Sequence, residues 1–298
     1  MTPQSFSEMK IDLHLHTFFS DGTYSPEEVI KRATAIGLCA IAITDHDITD
    51  GIERAIIAGA RYGVEVVPGI ELSTEGLDDS SEEIHILGYY INWRTPYFQK
   101  KLALFRKARL ARAHEICDRL NKLGIPINRD FIFDIEGRGA VGRMHIAKAL
   151  VAGGWVDTVD EAFQRYLIKG KPAFVRKIRF LPEEAIELIL KAGGIPVLAH
   201  PKFGASKKRI VKYLVKKGLL GIEAYYIKHT PEETEKFLQW AKEFDLMVTG
   251  GSDCHGEVPG REEQIGKISI SYEHLFKMKE YKFLSIRRTM RILSHRKL

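Results

Sequence analysis

Residues 10–47 read KIDLHLHTFFSDGTYSPEEVIKRATAIGLCAIAITDHD, and the fold follows from how this stretch is divided. KIDLHLHT reads as a first strand. SPEEVIKRATAIG reads as a helix: Ser25 is placed to cap it, Pro26 takes the first helical position, Glu28 stands at the capping-box position and Gly37 closes it. CAIAITDHD then reads as a second, buried strand that ends in a cluster of polar residues. An apolar run, an amphipathic helix and another apolar run in succession are the grammar of a βα unit.

Outward from this unit the same grammar repeats. DGIERAIIAGARYG is helical, and VEVVPGIELST and EEIHILGYYI are strands. After Trp93 the rhythm breaks. Residues 95–171 carry long helical patterns such as KKLALFRKARLARAHEICDRLNKLG, stopped by Gly124 and Pro126, and this segment reads as a helical insertion that caps the substrate site. The units resume with LPEEAIELILKAGG, IPVLAHP, KKRIVKYLVKKG, LLGIEAYY, TPEETEKFLQWAKEFD and LMVTGGSDCHG. The expected organisation is an α/β parallel sheet or barrel from residues 1–94 and 172–298, interrupted by residues 95–171.

The composition fits a globular protein, with 45% hydrophobic and 28% charged residues in 298. Cys39, Cys117 and Cys254 are odd in number and far apart, which points to a reducing, cytoplasmic setting. The opening MTPQSFSEMK lacks an apolar signal core, and no stretch approaches the roughly 18 apolar residues of a membrane span, so no membrane association is expected. A formal charge of +6, partly in the terminal SIRRTMRILSHRKL, favours an anionic partner only weakly.

Most of the informative residues sit at strand ends. In a parallel barrel the carboxyl ends of the strands share one face, where residues distant in sequence can meet. His14 and His16 in DLHLHT are two apart and share a strand face; alone, such a pair equally suits two satisfied polar residues on a half-buried strand. Asp21 in SDG can add an oxygen from the following loop. His46 in TDHD emerges between Asp45 and Asp47, which can orient imidazoles, hold backbone or cap a helix. Glu71 in VVPGIELS and His85 in EEIHILGYYI are polar residues framed by apolar ones. His200 in IPVLAHP, with Pro201 ending its strand, and Asp253 and His255 in GGSDCHG complete the set. Cys254 between them reads as packing. Nine oxygen and imidazole donors without thiolates exceed the needs of one ion. They suit two or three Mn²⁺, Zn²⁺ or Fe²⁺ ions in a catalytic site rather than a closed structural zinc site.

At these positions the chain resembles the PHP (polymerase and histidinol phosphatase) family. The motifs are His14-Leu15-His16-Thr17-Phe18-Phe19-Ser20-Asp21-Gly22, then TDHD, GIE, the isolated His85, AHP and GSDCH. The resemblance implies a distorted (β/α)₇ barrel with three metal ions, Mn²⁺ foremost. It implies that His14, His16, Glu71 and Asp253 hold one ion, that Glu71 bridges to a second held by His85 and His200, and that Asp21, His46 and His255 hold a third. GRMHIAKAL and YLIKGKPAFV in the insertion are similar to those of the YciV/TrpH-like group, which removes 5′-terminal nucleotides from short RNA or dephosphorylates 3′,5′-bisphosphonucleotides. By that likeness Arg143, His145, Lys169 and Lys171 are candidates to grip phosphate, against a reading as basic surface and helix cap.

The chemistry expected is in-line attack on phosphorus by a metal-bound water, with the general acid unassigned and nucleotide or short RNA as partner. No protein partner is indicated. A histidinol-phosphatase-like phosphomonoesterase and an amidohydrolase-type metal hydrolase are the rival enzymes. A nucleic-acid-binding module using Tyr225, Tyr226 and Trp240 is the rival outside catalysis, although aromatics at such spacing also serve cores.

Overall fold

The computed structural model describes residues 5–77, 83–127, 141–257 and 263–295. Residues 296–298 of the basic tail lie outside them, as do the side chains of residues 286 and 288–295. The opening unit forms as the sequence dictates: β1 (Lys10–Leu15), α1 (Pro26–Ala35) and β2 (Leu38–Ile43). Ser25 Oγ accepts the Glu28 N–H while the Glu28 side chain accepts the Ser25 N–H, so the capping box satisfies otherwise orphaned amides of α1. After α2 (Ile52–Tyr62) come β3 (Glu65–Thr74) and β4 (Ile84–Tyr89).

The strands form one sheet that also contains β5 (Ile195–Leu198), β6 (Gly221–Tyr226), β7 (Met247–Gly251) and a short β8 (Ile270–Ser271). Their order is β7-β6-β5-β4-β3-β2-β1-β8. Beyond its hydrogen-bonded ladders the sheet curls until β7 meets β1. His16 N–H donates to Cys254 C=O (3.0 Å), and Leu15 bridges Cys254 in parallel. Gly251 permits this closure, since a β-carbon there would lie 2.5 Å from the backbone nitrogen of His14. The result is a mixed α/β, nearly closed barrel of the kind expected.

Two strands depart from the parallel expectation, and the short β8 does so by pairing antiparallel with β1. β4 is antiparallel to both β3 and β5. The cause is local: only nine residues, 75–83, connect β3 to β4, fewer than the dozen or so a parallel crossover needs. Reversal brings the first residues of β4 to the mouth of the barrel, where its parallel neighbours end. His85, paired with Ser73, therefore reaches the same face as the other strand-end residues.

Between β4 and β5 the chain runs through α3 (Pro96–Lys122), α4 (Arg143–Ala152), α5 (Val159–Ala162), a π turn (Phe163–Leu167) and α6 (Pro182–Lys191). At 1.5 Å per residue the 27 residues of α3 span roughly 40 Å. Its early residues Phe98, Leu102 and Phe105 pack in the barrel's apolar cluster with Phe180 and Ile189. Its later residues Ala113, Ile116, Cys117 and Leu120 pack in a second cluster with Ile146, Leu150 and Leu167. This one helix thus carries polar side chains from the barrel mouth to the inner face of the second cluster. The circuit ends with α7 (Lys208–Lys216), α8 (Pro231–Glu243) and α9 (Tyr272–His295). Lys279 of α9 pairs with Glu65 at the start of β3 (2.7 Å), so α9 lies at the end of the barrel opposite the mouth.

Candidate metal centre

Apolar strands must surrender their polar ends somewhere, and here they do so together. His14 Nε2 lies 3.1 Å from Glu71 Oε2 and 3.4 Å from Asp253 Oδ1. His16 Nε2 lies 3.2 Å from Glu71 Oε2 and 3.0 Å from Asp253 Oδ1. The other oxygen of Glu71 meets His85 Nδ1 at 2.8 Å and His200 Nε2 at 2.9 Å. His46 Nδ1 approaches Glu71 Oε2 at 3.3 Å, and His255 Nε2 approaches Asp21 Oδ1 at 3.3 Å. All nine side chains singled out in the sequence converge at one mouth.

Three overlapping groups have donor atoms within 4.8 Å of one another: His14, His16, Glu71 and Asp253; His46, Glu71 and His85; His16, Asp21, His46 and His255. The donor set fits divalent cations. His14 Nε2 and His16 Nε2 face each other at 3.1 Å in full burial, a meeting of ring nitrogens that a shared cation accommodates. Asp21 Oδ1 and His200 Nδ1 are buried without a hydrogen-bond partner.

The electrostatics point the same way. Burial opposes charge on His16, yet hydrogen bonds and charge from Asp253 and Glu71 lift it to about 10. His85 is likewise opposed by burial but raised to about 9 by Glu71 and Glu83. His46 is pushed down to about 3 by burial, which the nearby Glu71 and Asp21 only partly offset. Burial raises the Glu71 carboxyl, but the surrounding imidazoles more than reverse this and hold it well below its usual range. Without metal, such a cluster must retain protons between its imidazoles and carboxylates. Bound cations supply the same compensation and displace those protons.

Further residues fix the loops that carry these groups. Asp45 accepts from Thr17 N–H (2.7 Å), Thr17 hydroxyl (2.7 Å) and Ser20 hydroxyl (2.6 Å), ordering the turn that leads to Asp21. Asp47, at φ 56°, accepts the Ser73 N–H (3.0 Å) and the Arg109 guanidinium. Asp12 accepts from Ser252 N–H and hydroxyl (3.0 and 2.6 Å), which anchors the turn before Asp253. That turn lies beyond β7: Asp253 has φ 52°, so Asp253 and His255 converge through loop geometry rather than strand alternation. Tyr226 hydroxyl donates to Asp253 Oδ2 at 2.9 Å.

A cleft of about 220 Å³ opens above the cluster. Asp21, His46 and His85 form its floor, and Arg109, Arg112, Arg143, His145 and Lys177 line its walls. Arg143 pairs with Glu83 at 2.7 Å, and Lys177 lies 3.7 Å from the same carboxylate. His145 Nδ1 accepts the Gly142 N–H (3.1 Å), so it caps the start of α4 as well as lining the cleft. Lys169 and Lys171 are exposed and do not line it. Sequence reasoning passed over Arg109, Arg112, Lys177 and Glu83. Another missed group is Glu223, whose Oε1 lies 2.9 Å from His14 Nδ1; Gly-Ile-Glu occurs at residues 51–53, 69–71 and 221–223, and only the last two copies stand on strands, which is the signal that pairs Glu223 with Glu71.

Known proteins resemble this chain along most of its length. The PHP domain model matches residues 12–125. A 5′-3′ exoribonuclease of Haemophilus influenzae is 38% identical over 250 residues, covering 83% of this chain and 90% of that protein. A 3′,5′-nucleoside bisphosphate phosphatase of Chromobacterium violaceum is 33% identical over 255 residues, covering 84% and 88%. A solved structure from Bifidobacterium adolescentis, described as a metal-dependent phosphoesterase, superposes with a TM-score of 0.81 at 30% identity, covering 90% of this chain and 94% of that one. On this likeness along most of its length, the chain belongs to the PHP-domain family of metal-dependent phosphoester hydrolases, in the YciV/TrpH-like group.

Proposed function

We propose that the chain hydrolyses nucleotide phosphoesters, either short 5′-phosphorylated RNA or 3′,5′-bisphosphonucleotides, with three divalent ions, Mn²⁺ foremost, held by the nine residues of the centre. The observation that carries this reading is the basic cleft opening directly onto the imidazole and carboxylate cluster. Both substrate types bear a phosphate beyond the one that is cleaved, and both kinds of activity are named among the relatives.

Bound there, the ions would polarise the phosphoryl oxygens and make water nucleophilic near neutral pH. His14, His16, Glu71 and Asp253 would hold one ion; Glu71, His85 and His200 a second; Asp21, His46 and His255 a third. Arg143 and Lys177 would hold the second phosphate in place of Glu83, and guanidinium pairing would fix its orientation. Arg109 and Arg112 add positive charge on the same wall, and His145 aligns the start of α4. Residues 95–171, as a cap, would keep bulk water from the reacting phosphate.

The assay that tests this reading compares 5′-phosphorylated RNA oligomers, 3′-phospho-5′-AMP and histidinol phosphate with Mn²⁺ present. Turnover of either nucleotide substrate well above histidinol phosphate is expected. Preferential cleavage of histidinol phosphate would replace the proposal with the phosphomonoesterase reading.

A further inference from the structure

We propose that Glu223 is a positioning residue that aligns ligands of two ions at once, an inference that rests on reading His14 and His200 as ion ligands. Glu223 stands on β6, in register with Thr249 of β7, and is completely buried. Its two oxygens have separate partners. Oε1 lies 2.9 Å from His14 Nδ1, and Oε2 accepts the backbone N–H of His200 at 2.8 Å.

Each bond has a consequence at the centre. A carboxylate at Nδ1 makes that nitrogen the protonated one, so His14 presents the lone pair of Nε2. Nε2 is the atom that faces His16, Glu71 Oε2 and Asp253. The second bond holds His200 at φ 24°, a backbone region that residues other than glycine seldom adopt. In that conformation His200 Nε2 meets Glu71 Oε1, on the side of His85. Glu71, His14, Glu223 and His200 thus form a closed circuit in which Glu71 touches both imidazoles from the ion side, while Glu223 holds the His14 imidazole and the His200 backbone N–H from behind. Among the described side chains Glu71 and Glu223 are the two that hydrogen-bond both histidines, and only Glu223 does so from the side away from the ions.

Glutamine at this position has one acceptor oxygen and can serve only one of the two partners; alanine serves neither. Metal-free chain is titrated with Mn²⁺ and bound metal is measured by calorimetry and elemental analysis, for wild type, Glu223→Gln and Glu223→Ala. Outer carboxylates of this type change metal affinity by about 10–100-fold. Glu223→Ala is expected to weaken two ions by that factor, with Glu223→Gln intermediate. Saturating Mn²⁺ should restore turnover in both, because no ligand is lost. Unchanged affinity in both variants, or a loss in Glu223→Ala confined to one ion, overturns the proposal. If Glu223→Ala does not fold, Glu223→Gln decides alone: weaker binding with unchanged melting of the metal-free chain supports positioning, and wild-type affinity refutes it. Failure of the wild-type chain to bind Mn²⁺ would instead refute the ligand reading beneath it.

Discussion

Glu71→Gln is expected to lower kcat for phosphate release about 10³-fold while the chain remains folded. Glu71 is fully buried, and its two oxygens face five imidazoles, those of His14, His16, His46, His85 and His200, at 2.8–3.3 Å. Glutamine has nearly the same shape but replaces one oxygen with an N–H₂ that repels a cation. It also removes the negative charge on which two ion groups depend. Stabilisation of phosphoryl charge by bound metal amounts to several kcal/mol, and about 4 kcal/mol corresponds to about 10³ in rate. Kinetics with metal analysis check this. Wild-type kcat at full metal content would show that Glu71 is not the residue on which the centre turns.

Arg109→Ala is expected to carry the largest stability cost of any single change at the mouth. Arg109 reaches from α3 to Asp47, next to His46, and also donates to Ser73 Oγ at 3.1 Å. Asp47 is only 3% exposed, so truncating the arginine takes the one hydrogen-bonded cation from a buried carboxylate and leaves it the Ser73 N–H and the charge of Lys177. Breaking a buried pair in this way costs about 3–5 kcal/mol. Burial raises Asp47, but Arg109 and Lys177 more than offset it and hold the carboxyl below its ordinary value. A carboxyl depressed in the folded state contributes stability that is present above its unfolded pKa, about 3.9, and disappears as pH falls through the folded value. The gap between wild type and variant in urea unfolding should therefore be largest near pH 7 and narrow below about pH 4. Adding Asp47→Asn should recover part of the loss. A gap under about 1 kcal/mol at neutral pH would mean that the pair does not tie α3 to the barrel.

Much of this architecture is legible in the sequence because local chemistry and global fold agree. Ser25, Pro26 and Glu28 mark the start of α1, and the apolar runs at Lys10–Leu15 and Leu38–Ile43 can pack only as buried strands. The nine donors are legible because histidine and acid at the end of an apolar run are conspicuous. The direction of β4 was not read, since its apolar pattern is the same in either orientation and only the nine-residue connection from β3 betrays it. The cleft was harder still. Arg106, Arg109 and Arg112 recur every third residue along α3 and look like one solvated helix face, yet Arg109 is turned into the mouth and Arg106 lies beside Asp50. Lys169 and Lys171, which the family likeness favoured, stand on exposed chain after the π turn, while Lys177, with no motif around it, lines the cleft. Which charged residues of a helix or loop face a site is set by packing between elements, and no short sequence pattern carries it.

The most direct test of the account is removal and return of metal. The chain is stripped with a chelator, its residual metal measured, and phosphate release followed on a 5′-phosphorylated RNA oligomer and on 3′-phospho-5′-AMP before and after Mn²⁺ is added. No turnover is expected in the stripped chain, with recovery on adding Mn²⁺ that rises to a plateau at three ions per chain. Undiminished turnover in a chain shown to be free of metal would contradict it.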